Sequence, residues 1–358
     1  MRIAFGICSW GLGHATRTLP IIRKFIDEGD EVAVVSHGNA LNLLKNELRE
    51  AAEYVDLEDY HPPETQNAKL LAFNTFLRFP EYLNAMRREH RFVEKLLVRE
   101  KVDAIFSDNR FGFYSLRVPS FFMTHQLRIM NPLHLRSLES GTEILNRWLL
   151  DRLAGVIVPD FRENGLAGKL AHGLSVIDED DLSYIGALSD FRQRELTQDI
   201  DLFVSISGIE PQRTAFEGIV MKQLEDFDGS AVVSLGRPAE SGAGNKVKVQ
   251  GISPKAKQEE LLNRARIVIA RSGYSTLMDL CILGKKALLV PTPGQTEQEY
   301  LAEFHMGQGG YFCVRQRELD IPNQLDEVLS RSPPRPQYPT ERAVENAVGV
   351  ITGTALVE

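Results

Sequence analysis

The chain has 358 residues, more than one hydrophobic core usually serves, so two domains are expected. At 43% hydrophobic and 25% charged residues it reads as an ordinary globular protein, and a formal net charge of −8 argues against a nucleic-acid partner. Cys8, Cys281 and Cys313 are widely spaced with no C-x-x-C, so neither a zinc site nor a disulfide framework is indicated, which fits a reducing cytoplasm. Met1 to Cys8 reads as a first strand, not a signal peptide, and no apolar run approaches membrane-spanning length, so any membrane contact is expected to be peripheral.

Ile3 to Cys8 is the first predicted strand. Ser9-Trp10-Gly11-Leu12-Gly13-His14 is a glycine-bearing loop, and a helix runs from it to about Glu28 with Leu19, Ile22 and Ile26 on its buried face. Gly29 ends the helix, and Glu31 to Ser36 is the second strand. The lengths are those of a βαβ opening. A dinucleotide fingerprint is disfavoured: the third glycine is missing, and Ser36-His37 stands where an acid for the adenosine ribose is expected. The loop does place an imidazole, His14, at a helix start facing the carboxyl end of the sheet, with Arg17 one turn on. An imidazole there can take a proton; the plainer alternative is that His14 only caps the helix.

Residues 70 to 101 read as helical and locally basic, carrying Arg78, Arg87, Arg88, Arg91, Lys95, Arg99 and Lys101. Such a segment can hold an anionic acceptor or lie on an acidic bilayer, or simply be core-facing helix with a solvated basic side. Val102 to Ser107 is a strand that delivers Asp108, Asn109 and Arg110 to its carboxyl end. Pro119 to Thr124 is another and delivers His125 and Gln126. These groups converge on the edge that carries His14; the competing reading is loop residues capping nearby helices. Leu153 to Val158 is the next strand, Tyr184 to Leu188 closes the first domain, and Ser189 to Asp199 is a polar linker.

The second domain repeats the opening: strand Leu202 to Ser207, a Gly208 loop, and a helix from Thr214. Gly208 lets backbone approach a phosphate, and Arg213 offers a charge, or is a plain exposed arginine. Strands follow at Ala231 to Leu235 and Val247 to Gln250, separated by a flexible loop over 239–246. The most informative stretch is Arg266 to Pro293. Ile267 to Ala270 is a buried parallel strand, Ser272-Gly273 a turn, and Ser275 and Thr276 begin a helix whose hydroxyls can satisfy free N–H groups. Gly284 closes that helix and Ala287 to Val290 is a strand. The helix N-terminus suits a phosphate, and Thr276 and Asp279 share a face on which an acid can accept two ribose hydroxyls; the bland reading is a capped helix with one exposed acid. Gln298 and Glu299 lie in the polar first turn of the next helix. Ser332 to Pro339 is an extended connector and Thr340 to Ile351 a last helix.

Together, R-S-G-Y-S-T-L-M-D-L, G-K-K-A-L-L-V-P, Q-E-Y and G-L-G-H-A-T-R resemble the GT-B glycosyltransferases of family 28, the branch containing the peptidoglycan N-acetylglucosaminyltransferase. The resemblance implies an α/β fold of GT-B architecture: two Rossmann-like, doubly wound parallel-sheet domains with an interdomain cleft. Their expected bounds are 1–190 on the acceptor side and 196–335 on the nucleotide-sugar side, with a helix at 339–354 crossing back to the first. It implies that Ser272, Gly273, Thr276 and Gly208 meet the donor diphosphate with Arg213 beside them, Asp279 the ribose, and Gln298 and Glu299 the donor sugar. Glu299 stands where the family has a second Gln. His14 matches the acceptor-side histidine argued to be the general base; Gly13, Arg17, Asp108, Asn109, Arg110 and His125 are the acceptor-side set.

The expected activity is inverting, metal-independent glycosyl transfer from a nucleoside-diphosphate sugar, UDP-linked by resemblance, with no cofactor. The acceptor is a glycan, lipid-linked or small-molecule hydroxyl of a cell-envelope type, reached from the cytoplasm or the inner membrane face. The alternatives are a sugar-nucleotide 2-epimerase on the same fold and a non-catalytic nucleotide-sugar or lipid-binding protein.

Overall fold

The computed structural model describes residues 1–60, 78–131, 136–208, 210–237, 242–243, 246–251 and 253–354. The chain divides into two compact units: Phe191–Pro336 is one, and the preceding chain together with the segment from Gln337 is the other.

The first unit runs β1 (Arg2–Ile7), α1 (Gly13–Asp27), β2 (Glu31–Ser36), α2 (Gly38–Leu48), β3 (Glu53–Asp56), α3 (Phe79–Arg99), β4 (Ala104–Asp108), β5 (Ser120–Met123), α4 (Arg136–Leu150), β6 (Gly155–Val158) and β7 (Leu182–Tyr184). The sheet order is β3-β2-β1-β4-β5-β6-β7, parallel throughout. Its central strands are apolar runs buried on both faces, as helices on either side require. The winding reverses between β1 and β4, where the register sets Ile7 against Asp108. A ligand crevice in an open α/β sheet lies at such a reversal, at the carboxyl ends of the strands.

The second unit runs β8 (Ile200–Ser205), α5 (Gln212–Leu224), β9 (Ala231–Ser234), β10 (Gly242–Ala243), β11 (Val247–Gln250), α6 (Lys255–Arg264), β12 (Ala265–Ala270), α7 (Tyr274–Ile282), β13 (Lys286–Leu289), α8 (Thr296–Gly307), β14 (Phe312–Cys313) and α9 (Ile321–Ser330). Its order is β10-β11-β9-β8-β12-β13-β14, with only the short β10 antiparallel among the described strands. Leu202, Val204, Phe216, Val220 and Ile269 are central to its core. The reversal here lies between β8 and β12, so the Gly208 loop and the Ser272-Gly273 turn leave adjacent strands. The last helix, α10 (Thr340–Thr352), packs on α1 and β6 in the first unit. Thr340 Oγ1 accepts the Ser189 N–H there at 3.3 Å, and Gly186, at φ +94°, leaves room for the Tyr338 ring.

Several expectations shift. The last strand of the first sheet, Leu182–Tyr184, leads into the Tyr184 to Leu188 segment expected to close that domain. The strand expected to stop at Ser107 continues through Asp108, because partners from α1 neutralise that carboxylate inside the sheet edge. The helix expected over 70–101 is seen as α3 from Phe79; residues 70–77 lie outside the described chain. The flexible loop at 239–246 includes β10, paired to β11, while 239–241 and 244–245 are not described. Helices α2, α4, α6 and α9 and strands β3 and β14 had no clear local signal.

Candidate functional site

In the first unit the site grows from one face of α1. His14, Arg17 and Thr18 lie at i, i+3 and i+4, so their side chains share a face, and all three reach Asp108 at the end of β4. His14 Nδ1 is 2.9 Å from Asp108 Oδ1, Arg17 Nε donates to Oδ2 at 2.8 Å, and Thr18 Oγ1 donates to Oδ2 at 2.8 Å. Arg17 Nη2 also bonds Oδ1. The carboxylate is fully buried. Burial alone would raise its pKa; the charges and hydrogen bonds of Arg17 and His14 overrule that and hold it well below the ordinary carboxylate range.

Nδ1 of His14 faces two partners with opposite demands: ionised Asp108, which only accepts, calls for a proton on it, and Arg17 Nη2, a donor 3.0 Å away, calls for its lone pair. In the Nδ1–H form that pairs with Asp108, the lone pair sits on Nε2, which makes no hydrogen bond among the described residues. The His14 side chain keeps 14% of its surface exposed. Arg17 Nη1 reaches Nδ1 of the buried His125 at 3.1 Å, which fixes that nitrogen as an acceptor. The helix-cap alternative for His14 does not hold: α1 begins after Leu12 with no side-chain cap.

Other members of the acceptor-side set behave differently. Gly13 opens α1, and its carbonyl accepts from Thr16 Oγ1 at 3.1 Å. Asn109 turns the chain at φ +58°, and its carbonyl accepts from Tyr60 Oη at 2.8 Å. Arg110 is corrected. It is fully buried, with Nε on Glu89 Oε1 at 2.7 Å and Nη2 on the Leu57 carbonyl at 3.0 Å, because Glu89 comes down from α3 onto the same turn. Glu89 Oε2 also accepts the Gly112 N–H at 3.0 Å, so this pair builds the turn and offers no charge to a ligand. Sequence reading missed Asp59, buried beneath the glycine loop, whose carboxylate accepts the Ser9 N–H and hydroxyl at 2.7 and 2.6 Å. Thr18 was legible from its spacing; Asp59, fifty residues from its partner, carried no local signal.

In the second unit α7 starts after Gly273 with no side-chain cap, in place of the capping expected from Ser275 and Thr276. Ser272 is buried and its hydroxyl donates to the Gln298 carbonyl at 2.8 Å, which ties the turn to α8. Gln298 Oε1 accepts the Thr292 N–H at 2.8 Å and Glu299 Oε1 the Gly294 N–H at 3.0 Å, so both shape the β13–α8 loop. Thr276 and Asp279 are half-buried. Gly208, exposed at φ +118°, has open space where a side chain would stand.

Arg213 is also corrected. Its guanidinium is held by Glu210 at i−3, just before the helix, and by Glu217 at i+4, the latter 2.7 Å away, so its charge is neutralised by its near neighbours in the chain. The buried cation of this edge is Arg271, which sequence reading passed over.

Residues 238–352 match the Glycosyltransferase family 28 C-terminal domain. Over this C-terminal stretch the chain is family 28-like. One relative is the UDP-N-acetylglucosamine–N-acetylmuramyl-(pentapeptide) pyrophosphoryl-undecaprenol N-acetylglucosamine transferase of Desulfotalea psychrophila, 27% identical over 41% of this chain and 42% of that enzyme. The alignment thus spans about two-fifths of that relative's length. Among solved structures, the glycotransferase of kitacinnamycin superposes with a TM-score of 0.63 at 16% identity, covering 98% of this chain and 94% of the other. A putative UDP-N-acetylglucosamine 2-epimerase from Listeria monocytogenes superposes with a TM-score of 0.64 at 12% identity, covering 100% and 98%. At such identities the likeness is one of fold, and the fold is GT-B: two Rossmann-like α/β domains.

Proposed function

We propose that this chain is a glycosyltransferase that moves a sugar from a nucleoside-diphosphate donor, UDP-linked, to an acceptor hydroxyl, with His14 as the general base. The observation that carries the reading is the 2.9 Å pairing of His14 Nδ1 with ionised, buried Asp108, which in the Nδ1–H form of the imidazole leaves Nε2 to take a proton. The acceptor oxygen attacks the anomeric carbon as its proton passes to Nε2. The bond from that carbon to the diphosphate breaks, and the diphosphate leaves with the electron pair, so the configuration inverts. The second unit holds the donor: the N-terminus of α7 faces the diphosphate, Gly208 admits it, Asp279 takes the ribose, and Gln298 and Glu299 take the sugar. The scheme uses no metal and no cofactor.

The acceptor belongs to the glycan, lipid-linked or small-molecule class, in keeping with the lipid-linked acceptor in the name of the Desulfotalea psychrophila relative. No helix among the described residues is long and apolar enough to cross a membrane, and the proposed setting is the cytoplasm with peripheral contact at the inner face.

The test is a thermal-shift panel of nucleotide sugars, followed by mass spectrometry of incubations with and without lipid and glycan acceptors. Saturating donor at about a hundred times its Kd should stabilise the protein by about 2.7 kcal/mol. Glycosylated acceptor supports transfer. Epimerised donor without acceptor would replace this reading with the epimerase, and no binding by any nucleotide sugar would remove it.

A further inference from the structure

Arg271 stands directly before the Ser272-Gly273 turn, yet its side chain is buried. Nη1 donates to the carbonyls of Val290 and Pro291 at 3.1 and 3.2 Å. Nη2 donates to the Gln212 carbonyl at 3.1 Å and to Gln316 Oε1 at 2.8 Å. The guanidinium carbon lies 4.1 Å from the Phe216 ring centroid, and Nε has no partner among the described residues.

Two features separate this arginine from the other buried ones. First, it makes no ion pair with a carboxylate among the described residues, whereas Arg17 has Asp108, Arg110 has Glu89 and Arg213 has Glu210 and Glu217. The side chain beside it at position 316 is the neutral amide of Gln316, where one more oxygen would complete a salt bridge. Burial lowers its pKa to about 10, so it stays protonated at neutral pH. Second, its contacts reach every loop assigned to the donor. Its own backbone enters the Ser272-Gly273 turn, Val290 and Pro291 enter the loop that carries Gln298 and Glu299, and Gln212 opens the helix after Gly208. An unpaired buried charge opposes folding, so its retention calls for a compensating use.

We propose that Arg271 is a positioning residue for the donor diphosphate: it clamps the three loops of the donor edge together and leaves one positive charge there un-neutralised for an anion to answer. The inference rests on the donor reading above. It is tested by calorimetric titration of UDP and of uridine into the full chain, alongside thermal melts.

Gln316→Glu adds a carboxylate at the Gln316 position without touching Arg271. It should raise the melting temperature and weaken UDP about tenfold or more, the scale of a charged hydrogen bond, while uridine shifts by less than about twofold. Arg271→Met should erase the preference for UDP over uridine, and Arg271→Lys, which keeps the charge but cannot bridge all the carbonyls, should recover part of it. If folded Gln316→Glu and Arg271→Lys both keep the wild-type ratio of UDP to uridine affinity, the proposal falls. If UDP and uridine weaken equally, the role is structural and the proposal falls too. Absence of UDP binding by the unaltered chain would instead remove the donor reading, and this inference with it.

Discussion

Asp108 and Arg110 are two residues apart at the end of one strand, and both are fully buried in charged pairs. In the proposed mechanism only one pair belongs to the chemistry. Asp108 is met by the side chains of α1, and through them its charge reaches the partly exposed imidazole of His14. Arg110 is met by Glu89 from α3, and the pair spends its remaining hydrogen bonds on backbone at Leu57 and Gly112. Burial and charge alone do not mark a functional group; what matters is whether the network ends on an atom that a ligand can touch. The contrast recurs in the second unit, where Arg213 is neutralised by two carboxylates close to it in the chain and Arg271 by none among the described residues.

The comparison breaks most visibly at Asp108. Asp108→Asn removes the charge that orients His14 and leaves Arg17 buried without its partner. Turnover should fall about 10²-fold or more, and stability by about 3 kcal/mol, measured by steady-state assay and urea unfolding. Wild-type stability from Asp108 is present above the ordinary carboxylate pKa, near 4, and is lost as the pH falls through the depressed folded-state value; the variant should lack that acid-sensitive component. Arg110→Met should destabilise by a similar amount, about 3 kcal/mol, yet leave kcat and KM of the folded fraction unchanged. A selective loss of kcat in that variant would erase the distinction drawn here.

Lys285 sharpens the comparison with Arg271. Its buried ammonium donates to the Asn263 and Ala265 carbonyls at 2.6 and 2.9 Å, and burial lowers its pKa to about 8. Above about pH 8 it escapes an unpaired charge by releasing a proton, which Arg271 does only above about pH 10. Because the unfolded chain binds that proton up to about pH 10.5, the folded protein should gain up to about 3 kcal/mol relative to Lys285→Met between pH 8 and 10.5, seen in unfolding curves across that range. A flat difference would place the ammonium in water. The smallest effect is expected at Thr18→Val, which removes one hydrogen bond to Asp108 and should cost about 1–2 kcal/mol with a modest loss of turnover.

Much of this was legible in the order of residues. The βαβ openings, the parallel apolar strands and the R-S-G-Y-S-T-L-M-D stretch carry local signals, and Asp108 and His125 fell at the right sheet edge because each follows a strand. The His14–Asp108 bond was not legible, since it depends on β1 and β4 being neighbours across ninety-four residues. Asp108-Asn109-Arg110 reads as three equivalent polar residues until Glu89, twenty-one positions upstream, folds onto the last of them. Arg213 could have been read correctly: acids at i−3 and i+4 already occupy it. Arg271 could not, because its partners are mostly backbone carbonyls, which sequence does not display.

The most direct measurement is diphosphate release by His14→Ala in the presence of a donor sugar that the protein binds, with donor affinity determined on the same sample. The account predicts a Kd within about twofold of wild type and a release rate lower by about 10² to 10⁴. Release near the wild-type rate with donor binding intact would contradict it.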